Sequence, residues 1–415
     1  MRTIKKLWLD TLLGTLFIFT LMKAFDSMSA FKVFDIFDPI ADALGDYQVT
    51  DIVFSQFRED PIADERILLV NIGTESRGSI GIMVDKISQY NPAVIGMDTF
   101  FDNPKDTLED MILTGALQSV ENLVMVTQML YNDDDVLDSI HRSHPMFNVG
   151  ADFAHANLDA KAEHQDELKF NRQFWPQRTD IYGEHHVALG VKLASYLDSA
   201  AANKYLARNN DVELINFEGN IIDFGATKYE FKYTALDVED VFNEYFTPDM
   251  IEGRIVIFCF LGDYLGDRSS TEDKYITPLN SKYAGRTLPD MYGGVIHANI
   301  ISMVLNDDPI DVMSDNGQIA AAIILCLLNV FLFSIVYKRI PKWYDGSTKL
   351  FQLLELLVFY FLMIQIFDKY SYYMDLSLAL IAIALSGDAL EVYYGVIKNV
   401  FTKEGRRALF RADKL

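Results

Sequence analysis

Cysteine is nearly absent from this chain. Its 415 residues include only Cys259 and Cys326, each in an apolar run with no partner at a ligand-like spacing. That leaves neither a disulfide framework nor a cysteine zinc site. Motifs of the common catalytic classes are missing as well: there is no G-x-S-x-G elbow, no phosphate-binding P-loop and no H-E-x-x-H. The pair Gly293–Gly294 is too little to make a phosphate cradle. The chain therefore reads as a non-enzyme with no cofactor and no resident metal. Positive charge is scarce where it would matter for nucleic acid. The formal net charge is −23, and residues 26–315 alone hold 50 Asp and Glu against 21 Lys and Arg, a net of −29. Such a surface repels nucleic acid and anionic lipid. No internal repeat or low-complexity tract is present.

Long apolar runs, by contrast, are abundant. Four segments approach the roughly 20 residues needed to cross a bilayer: 7–25, 317–337, 350–367 and 376–397. The first carries Asp10 and Lys23 near its ends and lacks a small-x-small cleavage site, which favours an anchor over a cleaved signal peptide. Basic residues cluster on one side of the runs. Arg2, Lys5 and Lys6 precede the first; Lys338, Arg339, Lys342 and Lys349 separate the second from the third; six more lie in the tail at 398–415. Four spans with this pattern place residues 1–6, the 338–349 loop and the tail in the cytoplasm of a bacterial inner-membrane protein. Residues 26–315 then form a periplasmic domain. The three inner pieces are too short to fold as an output domain, so the expectation is that any effect inside the cell needs a separate partner.

The outer segment alternates strand and helix patterns. "RILLVNI" (66–72), "AVIGMDTFF" (93–101), "LVMVTQM" (123–129) and "GRIVIFCFLG" (253–262) are apolar, β-branched runs of strand length. "SIGIMVDKISQY" (79–90), "TLEDMILTGALQSV" (107–120), "VALGVKLASYLD" (187–198) and "GGVIHANIISMVL" (293–305) have helical periodicity. The alternation predicts an α/β domain with a mainly parallel sheet flanked by helices. "VELINF" and "IIDFG" suggest a hairpin about Glu218–Gly219–Asn220, and residues 130–186 read as a polar insertion.

The order of these motifs resembles the CHASE-two family, the second cyclase/histidine-kinase-associated sensory extracellular domain. "DIVFSQFR" (51–58), "ILLVNIGTES", "PAVIGMDTFFDNP", "INFEGN", "YTALDVEDVF", "IEGRIVIFCFLGDYLGDRSSTEDKYITPL" and "MYGGVIHANIISMVLND" follow in the family's sequence over residues 47–312. The resemblance implies an extracytoplasmic sensory domain followed by three membrane helices. The cyclase or kinase that often follows in the family has no counterpart in this sequence.

Ligands of parallel α/β sheets bind beyond the carboxyl ends of the strands. That rule selects Thr74, Asp98 and Asp263 as ligand candidates, joined by Thr277, His297 and Asn299. His297 and Asn299 lie about 200° apart on one helix and cannot share a pocket. One is expected to lock the helix to the "YITPLN" loop (275–280), and direct ligand contact is the alternative. Asp98, Asp102 and Asp106 lack the order of a calcium loop, as do Asp133, Asp134 and Asp135. His141, His144, His185 and His186 read as solvated loop residues. Within the apolar runs, Glu355, Asp388 and Glu391 are candidates for a partner or ion contact, since ionisable groups at that depth usually face a bundle interior.

Three function classes follow. The first is a sensor that relays to an unidentified membrane or envelope protein. The second is a structural or assembly subunit, and the third a small channel or transporter component. Membrane lipid and a second copy of the chain are the other expected partners. A polar pocket at the strand ends favours sensing; an exposed apolar patch favours assembly.

Overall fold

The computed structural model describes residues 2–29, 49–57, 62–131, 137–159, 170–180, 182–221, 232–267, 269–280 and 288–398. The Asp133–Asp134–Asp135 run, the tail beyond Lys398 and most of "IIDFG" lie outside these residues. The chain forms two compact units: Thr50–Ile310, and Met1–Val49 together with Asp311–Leu415.

The Thr50–Ile310 unit is built on one sheet. Its strands are β1 (Ile67–Asn71), β2 (Val94–Met97), β3 (Leu123–Tyr131), β4 (Leu137–Arg142), β5 (Asp152–His155), β6 (Thr234–Leu236) and β7 (Ile255–Cys259), in the order β6-β1-β7-β2-β3-β4, with β5 also paired to β3. All pairings are parallel except β3 with β4. Strands β1, β2 and β7 are buried along their whole length. That explains their unbroken apolar sequences: a parallel sheet covered on both faces has no solvent side to mark by alternation.

Helices α1 (Arg77–Ser88), α2 (Thr107–Ser119) and α4 (Val238–Phe242) cover one face. Ser76 caps α1 by accepting from Ser79 N, and Asp106 caps α2 by accepting from Leu108 and Glu109 N. The buried stripe of α1 (Ile80, Met83, Val84 and Ile87) meets Leu68, Val70, Val256 and Phe258 of the sheet. Each such side chain contributes roughly 1.5–3 kcal/mol by leaving water. The two helices touch at Gly81, where a Cβ would lie 2.8 Å from Leu113 Cα. Arg77 and Asp110 form a buried ion pair at 2.6 Å, with the guanidinium 5.0 Å from the Phe147 ring centroid.

The opposite face carries α3 (Leu189–Leu197) and α5 (Gly293–Asn306). Gly96 of β2 leaves room for Leu193, and Gly190 lets α3 approach Ile300 of α5. The insertion contributes more than expected. Glu213–Leu214 of "VELINF" pairs antiparallel with Gln173–Phe174, and most of the other half of the expected hairpin lies outside the described residues. The polar insertion supplies β4 and β5 and so widens the sheet; its weak apolar pattern reflects a position at the sheet's edge.

The other unit contains four helices long and apolar enough to cross a membrane by length and composition: Leu7–Ala24, Asp315–Arg339, Pro341–Tyr370 and Ser377–Ile397. Asp10 of the first accepts from Lys338 Nζ at 2.8 Å and from Lys398 Nζ at 2.6 Å. Gln352 Nε2 donates to the Ile383 carbonyl at 2.7 Å, and the Tyr344 hydroxyl to the Gly387 carbonyl at 2.8 Å, which ties the third helix to the fourth.

Candidate functional site

The carboxyl ends of β1, β2 and β7 converge near the start of α5. At the end of β1, Asn71 is fully buried and fully used. Its Nδ2 donates to Asp237 Oδ1 at 2.9 Å and to the Gly262 carbonyl at 3.0 Å, while its Oδ1 accepts from Gly73 N at 3.0 Å and Leu261 N at 2.8 Å. Asp237 in turn accepts from Leu265 N at 2.9 Å through Oδ2. This amide holds three loops in register. Thr74 and Asp263 extend from the loops it fixes and are exposed.

Asp98 continues β2, its backbone N–H donating to the Phe258 carbonyl at 2.8 Å. Its carboxyl is half-buried, faces Gly294 of α5, and makes no hydrogen bond or ion pair with any described side chain. Burial pushes it up to about 7. Beside it lies Cys259, whose thiol is pushed up by burial and further by Asp98 and Asp273. The Tyr275 hydroxyl is raised by burial and by the same two carboxylates. The start of α5 reaches this edge only because of its glycines. A Cβ on Gly293 would sit 2.9 Å from an Asp273 oxygen, and one on Gly294 would overlap Cys259 Sγ. Asp98, Asp273, Cys259 and Tyr275 thus form one acidic, poorly solvated corner where the fold class places its ligands. Asp273 and Tyr275 escaped sequence reasoning. The glycine pair was their signal, since it marks a close backbone approach.

The remaining candidates serve other contacts. Thr277 is buried and held by Asp290, its N–H donating to Oδ1 at 2.9 Å and its hydroxyl to Oδ2 at 2.7 Å. Asn299 is the lock on α5, but its partners are residues 218–219 rather than the expected 275–280 loop. Its Oδ1 accepts from Glu218 N at 2.8 Å, and its Nδ2 donates to the Gly219 carbonyl at 3.0 Å and the Val295 carbonyl at 2.9 Å. The loop has its own internal carboxylate in Asp290, which is why it needs neither helix residue.

His297 is buried with Nδ1 unpartnered, and burial lowers its pKa to about 4. Near it, His155 at the end of β5 is buried beside the Trp175 backbone. Burial, then the neighbouring His297, His186 and Arg178, lower it to about 3.

Of the other histidines, His185 is exposed as expected, and the remaining three depart from the solvated-loop expectation. His186 is buried against Asp180, with Nε2 3.1 Å from Oδ2. His141 stacks on Phe100 and lies 2.9 Å from Asp102, and His144 caps residues 145–147. Asp180, Glu184 and His186 hold their ligand atoms within 4.8 Å of one another, yet Asp180 Oδ1 is already engaged by Tyr182 and Glu184 N–H groups.

Among the apolar helices, Asp388 pairs with Lys349 of the third helix, and Glu391 shares its exposed face. Glu355 faces the buried amide of Asn329 on the second helix.

A mainly parallel α/β domain, in one chain with four helices long and apolar enough to cross a membrane, is the architecture of a multi-pass membrane protein. The family model of the CHASE2 domain matches residues 23–332, most of the chain, and the chain belongs to that family of extracellular sensory domains. No curated protein and no solved structure matches it.

Proposed function

We propose that this protein is a non-enzymatic sensor of the bacterial inner membrane. Its α/β domain lies in the periplasm, both termini lie in the cytoplasm, and it relays occupancy to a separate envelope protein. The observation that carries the reading is Asp98: a half-buried carboxyl at the ligand edge of the sheet, without a counter-cation among the described residues, next to Asp273 and Tyr275. A group in that state is stabilised by a ligand that brings it a positive charge or a strong hydrogen-bond donor. A small organic amine fits this chemistry. The orientation is supported by thirteen basic residues distributed over three segments.

Thermal shifts of the full chain in lipid nanodiscs, measured against a panel of small amines, test the ligand site. At least one amine should raise the melting temperature of the wild type and not that of Asp98→Asn. An equal response in both proteins, or none from any amine in the wild type, refutes the assignment to Asp98. A reporter fused after Leu415 should be active only in the cytoplasm, and one inserted near Asp134 only outside.

A further inference from the structure

Helix α2 turns an apolar stripe to solvent. Leu108, Met111 and Ile112 are 68%, 64% and 37% exposed, and with the open Gly115 they follow the i, i+3, i+4, i+7 spacing of one helical face. Across the seam, Ile82 of α1 is 42% exposed. The two helices meet backbone to backbone at Gly81, against Ile112 and Leu113, so Ile82 and Ile112 flank the same contact line and the four side chains make one patch. Isolated exposed apolar residues need no explanation, but a contiguous patch across two packed helices marks an interaction surface.

The rim says what covers it. The exposed or half-buried acids on these two helices and at the α2 cap include Asp85, Asp106 and Glu109, and Lys105 is the one exposed cation among residues 101–115. Of the two cations on α1, Arg77 is buried against Asp110 and Lys86 is paired with Glu244. A second copy docking through this patch would set acid against acid, and an anionic lipid surface would be repelled in the same way. An amphipathic helix with an apolar stripe and Lys or Arg along its borders meets both features at once.

We propose that the α1–α2 face docks a basic-rimmed amphipathic segment of a separate envelope protein. This assigns the relay partner's contact and rests on the relay reading, but not on ligand binding at Asp98.

Fluorescence anisotropy tests it with two labelled helical peptides that share a leucine stripe, one rimmed by lysine and one by glutamate, against the full chain in nanodiscs. The lysine-rimmed peptide should bind. Leu108→Ser with Met111→Ser should weaken it about tenfold or more at an unchanged melting temperature, since 1.4 kcal/mol is tenfold in affinity. Met111→Lys, a single exposed change, should weaken it as well. The peptides are titrated without any amine, which separates failure of this surface from failure of the ligand site. Equal binding of both peptides, or undiminished binding by the serine variant, overturns the proposal. So does a concentration-dependent dimer that the serine variant abolishes, because the occupant is then a second copy.

Discussion

Cys259 Sγ lies directly beneath Gly294, so close that a Cβ at position 294 would overlap it. The end of the central strand β7 and the first turn of α5 therefore fit together only with no side chain at 294. Gly294→Ala should lower stability by about 1–3 kcal/mol, the usual penalty for overpacking a closed contact. Cys259→Ala should recover part of that loss, and only part, because Cys259 Cβ also lies inside contact distance, at 2.6 Å. Melting of the two single variants and the double variant in nanodiscs gives the coupling. Strict additivity would show that the contact is absent in solution.

Asp98 should make stability fall as the pH rises. Its folded pKa, about 7, stands above the unfolded value of 3.8, so the folded state keeps a proton that the unfolded chain has lost. The resulting penalty is near zero below pH 4, grows through the interval, and is complete above pH 7. It reaches roughly 2–4 kcal/mol, the lower end reflecting the partial access of water to the carboxyl. Asp98→Asn should match the wild type near pH 3.5 and exceed it at pH 7.5. Parallel stability curves for the two proteins across pH 4–7.5 would contradict this.

The elements that were legible in the sequence are those with a strong one-dimensional signature. Ile67–Asn71 and Ile255–Cys259 read as buried strands because both faces are covered, and α1 and α2 because their apolar periods are regular. The edge strands β4 and β5 lack that signature, since half of an edge strand's neighbours are solvent. The ligand corner was half legible. Asp98 follows from the rule about strand ends, whereas Asp273 comes from a loop whose approach depends on Gly293 and Gly294, a tertiary fact. The pairing of Glu213–Leu214 with Gln173–Phe174, about forty residues apart in sequence, has no local signal at all.

His155 and His297 act in the opposite sense to Asp98. Their folded pKa values, about 3 and about 4, lie below the unfolded value of 6.5, so the unfolded chain takes up protons first as the pH falls. Stability is unaffected above pH 6.5 and declines below it, continuing until the folded histidines themselves protonate. The Trp175 backbone lies beside the His155 ring, so a phenyl ring in its place forgoes that contact, at a cost of up to about 1 kcal/mol. Whatever the difference at pH 7.5, His155→Phe should gain about 2 kcal/mol on the wild type between pH 7.5 and pH 5. A difference that is the same at both pH values would mean that burial does not hold the imidazole neutral.

Asp10 looked like an impurity in the first apolar segment, and the fold gives it a role. It is buried, and Lys338 from the end of the second helix and Lys398 from the end of the fourth both reach its carboxylate, with the Tyr394 hydroxyl at 3.4 Å. Three helices are thereby fastened at one level. Each lysine is more than a third exposed, so either pair alone is worth about 0.2–1 kcal/mol. Loss of the shared acid is different, because it removes both pairs and leaves two cations facing each other. Asp10→Asn should therefore lower the melting temperature of the protein in detergent more than Lys338→Ala or Lys398→Ala. Adding Lys338→Ala to Asp10→Asn should cost less than Lys338→Ala costs in the wild type. If the three single variants melt together with the wild type, the carboxylate does not hold the helices, and aromatic packing such as the stacked Tyr337–Tyr394 pair must do so.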